Sequence, residues 1–148
     1  MKLRLAIEDD IDFLLYASRK LHEKSPYSSL EFSEDKTGKL ILEFLKAPKE
    51  TKVIIIAETT RPVGVIACQA TQLYFSDRWV IIEPLFWTDH PKAYIPLVKA
   101  AEEWAVVIGA DKLTIGSLSK NKVLEKMGYK VIEYSYGLPE RAVPRREE

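Results

Sequence analysis

Cysteine is nearly absent from this chain of 148 residues: the single Cys68 rules out an internal disulfide, and its place in an apolar run fits a buried, unreactive thiol. Net charge is lacking as well. Twenty-two Lys and Arg offset twenty-two Asp and Glu, which leaves no global electrostatic case for nucleic acid or an anionic membrane as the main partner and favours small-molecule or protein partners. No apolar run is long enough to span a bilayer, and Glu8-Asp9-Asp10 follows Met1-Lys2-Leu3-Arg4 before any apolar signal core can form, so a soluble, cytoplasmic protein is expected. There is no metal-ligand spacing, no Ser/His/Asp signature, no Walker-type loop and no internal repeat. What is present is a 47% apolar composition, enough for one sizeable core. A single domain over residues 1–138 is expected, with 139–148 as a charged, proline-broken extension or contact arm.

The periodicities divide the chain into strands and helices. Leu3, Leu5 and Ile7 alternate with Lys2, Arg4 and Ala6 as an opening strand with one face on a core. Asp9 or Asp10 then caps a helix whose apolar stripe is Ile11, Leu14, Leu15, Ser18 and Leu21, ending by Ser25-Pro26. A second helix is predicted from near Ser33 to Pro48. The β-branched run Val53 to Ala57 suits a strand buried on both faces. Strands over Val63–Phe75 and Trp79–Trp87 follow, joined through Ser76-Asp77, as an antiparallel meander. Tyr94–Ile108 is the clearest helix, with Leu97, Ala101, Trp104, Ala105 and Ile108 inward and Gly109 as its stop. A short strand over Lys112–Ile115, a short helix over Asn121–Met127 and a last strand over Tyr129–Tyr136 complete the order. The fold class is therefore α/β (α+β), with a mixed, mainly antiparallel central sheet covered by helices on both faces.

Leu97-Val98-Lys99-Ala100-Ala101-Glu102-Glu103-Trp104-Ala105, followed by Gly109-Ala110-Asp111-Lys112-Leu113, resembles the cofactor-loop helix of the GNAT superfamily and its exit into the next strand. Leu124-Glu125-Lys126-Met127-Gly128-Tyr129 is similar to that family's closing phrase, and Arg4-Leu5-Ala6 before Asp9-Asp10 to its opening. The closing run Val131-Ile132-Glu133-Tyr134-Ser135-Tyr136 is similar to GNAT-like proteins encoded by bacteriophages. The resemblance spans most of the chain. It implies an N-acetyltransferase that passes an acyl group from acetyl-CoA to a small-molecule or protein amine, with homo-oligomerisation open and neither nucleic acid nor membrane as partner.

In the family, the coenzyme's pyrophosphate rests on backbone amides of a glycine-rich loop opening the long helix, where free amides and the helix dipole favour an anion. The matching stretch here, Thr88 to Pro96, has no glycine; Pro91 and Pro96 lack amide donors, and Asp89 adds a negative charge. Lys92 and His90 could offer side-chain cations, or both are solvated loop residues. The resemblance puts Phe86, Trp87, Lys92, Ala93, Tyr94 and Asn121 along the acetyl-CoA path, and His22 and Tyr27 on the acceptor side. Pro84, in mid-strand, signals either a bulge or an edge. Glu83 lies on the alternate face with Trp79, Ile81, Leu85 and Trp87; buried there it is a candidate general base, and otherwise a rim glutamate paired with Arg78 or Lys92. Leu124 stands where many family members carry the tyrosine that protonates the leaving thiolate. Two functions follow: the N-acetyltransferase, or a catalytically inactive GNAT-like binding or structural protein, such as a phage virion or assembly component.

Overall fold

The computed structural model describes residues 1–138; the expected charged extension 139–148 lies outside them. The chain divides into two compact units, Met1–Gly116 and Ser117–Glu148.

The first unit is a five-stranded sheet in the order β1 (Lys2–Leu5), β2 (Lys52–Glu58), β3 (Pro62–Gln72), β4 (Trp79–Thr88), β5 (Lys112–Leu113). The first three pairings are antiparallel and the β4–β5 pairing is parallel, so the sheet is mixed and mainly antiparallel. Helices α1 (Ile11–Lys24) and α2 (Glu34–Lys46) cover one face, and α3 (Tyr94–Ile108) covers the other. The run Val53 to Ala57 explains why β2 is central: Ile54 and Ile56 enter the cluster under α1 and α2, whereas Val53, Ile55 and Ala57 enter the cluster under α3.

Local chemistry sets the element ends. Ser33 Oγ accepts from the Lys36 amide at 3.1 Å to cap α2. Gly109 ends α3 at φ 73°, a left-handed conformation in which any other residue would be strained. Asp10 does a different job from the helix cap expected of it. A 3-10 turn over Glu8–Asp10 precedes α1, and the Asp10 carboxylate reaches back to the Ile7 amide at 2.8 Å. The same carboxylate takes a forked contact from Arg4 at 2.7 and 2.8 Å, and Arg4 also meets Glu58 at 3.0 Å. Asp10 is only 5% exposed, and the Arg4 guanidinium holds its carboxyl below the usual carboxylate range. This network fastens β1 to β2 and to the start of α1.

Gly64 brings α3 close to the sheet. A Cβ there would stand 3.0 Å from both Leu97 Cδ1 and Thr88 Cγ2, and 3.3 Å from the Cβ of Ala93. Trp104 fixes the other half of the helix by donating from Nε1 to the Lys49 carbonyl at 2.7 Å.

In the second unit, α4 (Lys122–Lys126) is capped by Asn121, whose Oδ1 accepts from the Leu124 amide at 3.1 Å, and Gly128 follows at φ 98°. The strand expected over Tyr129–Tyr136 does not form. A strand persists only with a ladder partner: the Tyr129 amide turns back to the Leu124 carbonyl at 3.0 Å, and among the described residues no strand pairs with 129–136; Tyr134 and Tyr136 are 78% and 94% exposed.

Candidate functional site: the bulge in β4 and the divergence of β4 from β5

Pro84 does mark a bulge. Ala67 pairs with Leu85, whereas Gln69 pairs with Ile82, so Glu83 and Pro84 together oppose Cys68. The extra residue reverses the inside-outside alternation of β4. Ile81 packs in the cluster under α3, while Leu85 and Trp87 pack in the cluster under α1 and α2. The expected common face of Ile81, Leu85 and Trp87 is thereby corrected: strict period-two counting fails across an inserted residue. Phe86 and Trp87 consequently serve opposite faces. Phe86 stacks on Tyr94 with centroids 4.6 Å apart on the α3 side, and Trp87 meets Tyr16 edge-on at 5.4 Å and Phe13 at 6.1 Å on the α1 side.

On its other edge, β4 separates from β5. The parallel ladder pairs Val80 with Lys112 and Ile81 with Leu113, and the Thr114 amide donates to the Ile81 carbonyl at 2.9 Å. Continuing that register would send the Gly116 amide to the main-chain carbonyl of Glu83. It goes to the side chain instead: Gly116 donates to Glu83 Oε1 at 2.5 Å. The strands diverge there, and a carboxylate fills the missing rung.

Burial pushes the Glu83 carboxyl up to about 7, with the Gly116 amide pulling in the other direction. No salt bridge neutralises it among the described residues, so the expected pairing with Arg78 or Lys92 is not made; Arg78 instead meets Asp111 at 3.3 Å. Across the bulge, the fully buried Cys68 thiol is pushed up to about 12, first by burial and then by the charge of Glu83. It is an inert thiol at neutral pH. A carboxyl that changes protonation near neutrality, in a gap between strands, can take a proton from an incoming nucleophile.

The amides of the loop ahead of α3 are taken up by β3 and by the loop itself. Its Asp89 amide donates to the Val63 carbonyl at 3.0 Å, Lys92 to His90 Nδ1 at 3.1 Å and Ala93 to the His90 carbonyl at 3.0 Å. Pro91 and Pro96 have no amide to give. A diphosphate therefore finds no amide cradle across Asp89, Pro91, Lys92 and Ala93. Lys92 itself is exposed, and Ala93 is wholly buried against Gly64 and Leu97.

The remaining expected residues belong to other parts of the chain. His22, at the end of α1, donates from Nε2 to the Leu30 carbonyl at 2.6 Å and lies 5.5 Å from the Phe32 ring, so it holds the α1–α2 connection in place. Tyr27, on that connection, is 62% exposed. Asn121 lies in the second unit, with its side chain capping α4. Local pattern in the sequence assigns no site role to Thr114, Gly116 or Asp111. Asp111 ties the start of β5 to β4 by accepting from the Trp79 amide at 3.1 Å. The glycine at 116 was the one visible signal, and its partner lies 33 residues away.

Solved structures share this fold. BH1408 from Bacillus halodurans superposes at TM-score 0.75 with 11% identity, over 94% of this chain and 99% of that one. The aminoglycoside 6'-N-acetyltransferase AAC(6')-IG from Acinetobacter haemolyticus superposes at 0.63 with 14% identity, over 94% and 100%. AAC(6')-Iy, in complex with a bisubstrate analogue that links CoA to acetylneamine, superposes at 0.61 with 14% identity, over 93% and 98%. This is the GNAT acetyltransferase fold. At these identities it is the GNAT fold that is shared, with the activity to be argued from the site. Neither a protein-family model nor a curated protein sequence matches the chain. No helix among the described residues is long and apolar enough to cross a membrane.

Proposed function

We propose that this GNAT-fold chain is an acyltransferase that moves an acetyl group from acetyl-CoA to an amine, with Glu83 as the proton acceptor. The observation that supports this reading is the Glu83 carboxyl at the β4 bulge, without an ion-pair partner among the described residues and pushed up to about 7 by burial. In the reaction, Glu83 takes a proton from the amine as its nitrogen bonds to the acyl carbon, and the carbon–sulfur bond breaks. The departing thiolate is protonated by solvent, because leucine stands at 124, where many GNAT enzymes place a tyrosine. His22, at the end of α1, and Tyr27, on the α1–α2 connection, are the acceptor-side residues of this reading. Phe86, Trp87, Lys92 and Tyr94, all in the first unit, are its coenzyme-side residues.

One observation favours a second reading, a GNAT-like binding or assembly protein without catalysis: the Asp89 amide is committed to the Val63 carbonyl of β3, and the amides of Lys92 and Ala93 to His90. Thiol release from acetyl-CoA, followed across a panel of amines, separates the two. Acyl transfer is expected from the native protein, with kcat falling roughly 100-fold or more in Glu83→Gln while KM for the thioester holds. Equal rates in both proteins would remove Glu83 from the chemistry, and no transfer to any amine would favour the second reading.

A further inference from the structure

We propose that Gly116 is a positioning residue: its amide, donated into the rung that β4 and β5 fail to close, orients the Glu83 carboxyl and sets the pH range over which it gains and loses a proton. The role in acyl transfer rests on the function proposed above; the orientation and the titration do not.

Three observations carry the inference. The first is geometric: Glu83 Oε1 sits 2.5 Å from the Gly116 nitrogen, in the place that the continued register assigns to a main-chain carbonyl. One carboxyl oxygen is thereby fixed, and the other is left to meet a nucleophile. The second concerns residue type. Gly116 has no left-handed backbone to explain it, yet a Cβ built there lies 3.1 Å from that same oxygen. A side chain at 116 would crowd the carboxyl oxygen and make it give by a few tenths of an ångström, so glycine suits the contact. The third is the surroundings. From β3, Cys68 is the titratable group whose thiol responds to the Glu83 charge, and no ion pair reaches Glu83 among the described residues. Among the described residues, the Gly116 amide is the group that favours the charged carboxylate.

The experiment uses the full chain labelled with 15N-glycine, which gives one amide signal for each of six glycines. The Gly116 proton is followed from about pH 5 to about pH 9, a range that brackets the titration of a raised carboxyl. The expected result is a titrating Gly116 signal with its midpoint near 7, abolished in Glu83→Gln. A Gly116 amide that stays silent, or one that still titrates in Glu83→Gln, overturns the proposal. In Gly116→Ala, the Glu83 carboxyl carbon should titrate about one pH unit higher, and the pH profile of any acyl transfer should move with it. An unchanged midpoint overturns the proposal as well. If the alanine variant does not fold, the native and Glu83→Gln titrations decide the matter alone. Failure of acetyl-CoA to bind would refute the acyltransferase reading and leave the amide titration standing, so the two failures are told apart.

Discussion

Replacing Glu83 with glutamine should make the protein more stable, and increasingly so as the pH rises. Burial moves the carboxyl from its ordinary 4.5 to about 7, which means that between those values the folded chain holds a proton that the unfolded chain has released. Where the folded state binds more protons, stability falls with rising pH. The native protein should therefore lose stability from about pH 4.5 to about pH 7 and then level off. At about 1.4 kcal/mol per pH unit, the displacement from 4.5 to about 7 corresponds to about 3 kcal/mol. Glutamine keeps an oxygen to accept from the Gly116 amide and carries no charge to bury, so it escapes this loss. Urea unfolding of the two proteins at several pH values measures the difference directly. The gap between Glu83→Gln and the native chain should widen by up to about 3 kcal/mol from acid to mildly alkaline pH. A gap that is constant with pH would refute the reasoning, because it would mean that the carboxyl is solvated in the folded state.

Two further substitutions test the frame around the site. Gly64→Ala places a Cβ 3.0 Å from the wholly buried Leu97, so the start of α3 must shift; a loss of about 1 to 3 kcal/mol in thermal or urea unfolding is expected, and a neutral result would mean that α3 packs more loosely than described. Asp10→Ala removes a 5%-exposed carboxylate that holds both Arg4 and the Ile7 amide; it should cost about 3 kcal/mol at neutral pH. Because Arg4 keeps the Asp10 carboxyl low, its stabilisation is present above the ordinary carboxylate range and fades as pH falls toward the depressed folded value. The Asp10→Ala deficit should shrink in acid, and a deficit that ignores pH would count against the ion pair as its source.

Much of the frame is legible in local pattern. The continuous apolar run of β2 announces burial on both faces, and α3 is bounded as expected because its stop is a single glycine with left-handed backbone. Pro84 signals the bulge, since a mid-strand residue without an amide needs a break in the ladder. What the bulge does to the alternation is less legible. The pairing of Ala67 with Leu85 and of Gln69 with Ile82 is a property of two strands at once, and only that register moves Ile81 and Leu85 to different faces. Glu83 was visible as a candidate, but Gly116 and Cys68 became its neighbours only through β5 and β3. Asp10 could be seen as a cap and not as the partner of Arg4, because local cap chemistry carries no information about a strand beside it. The tyrosine-rich run at 129–136 has the alternation of a strand, and alternation alone supplies no partner.

A calorimetric titration of the purified chain with acetyl-CoA bears most directly on the account. If the β4–β5 divergence serves an acyltransferase, saturable binding of one thioester per chain is expected, with micromolar affinity worth about 8 kcal/mol, despite the committed amides of the loop before α3. No heat of binding at millimolar acetyl-CoA would contradict the acyltransferase reading and leave a GNAT fold put to another use.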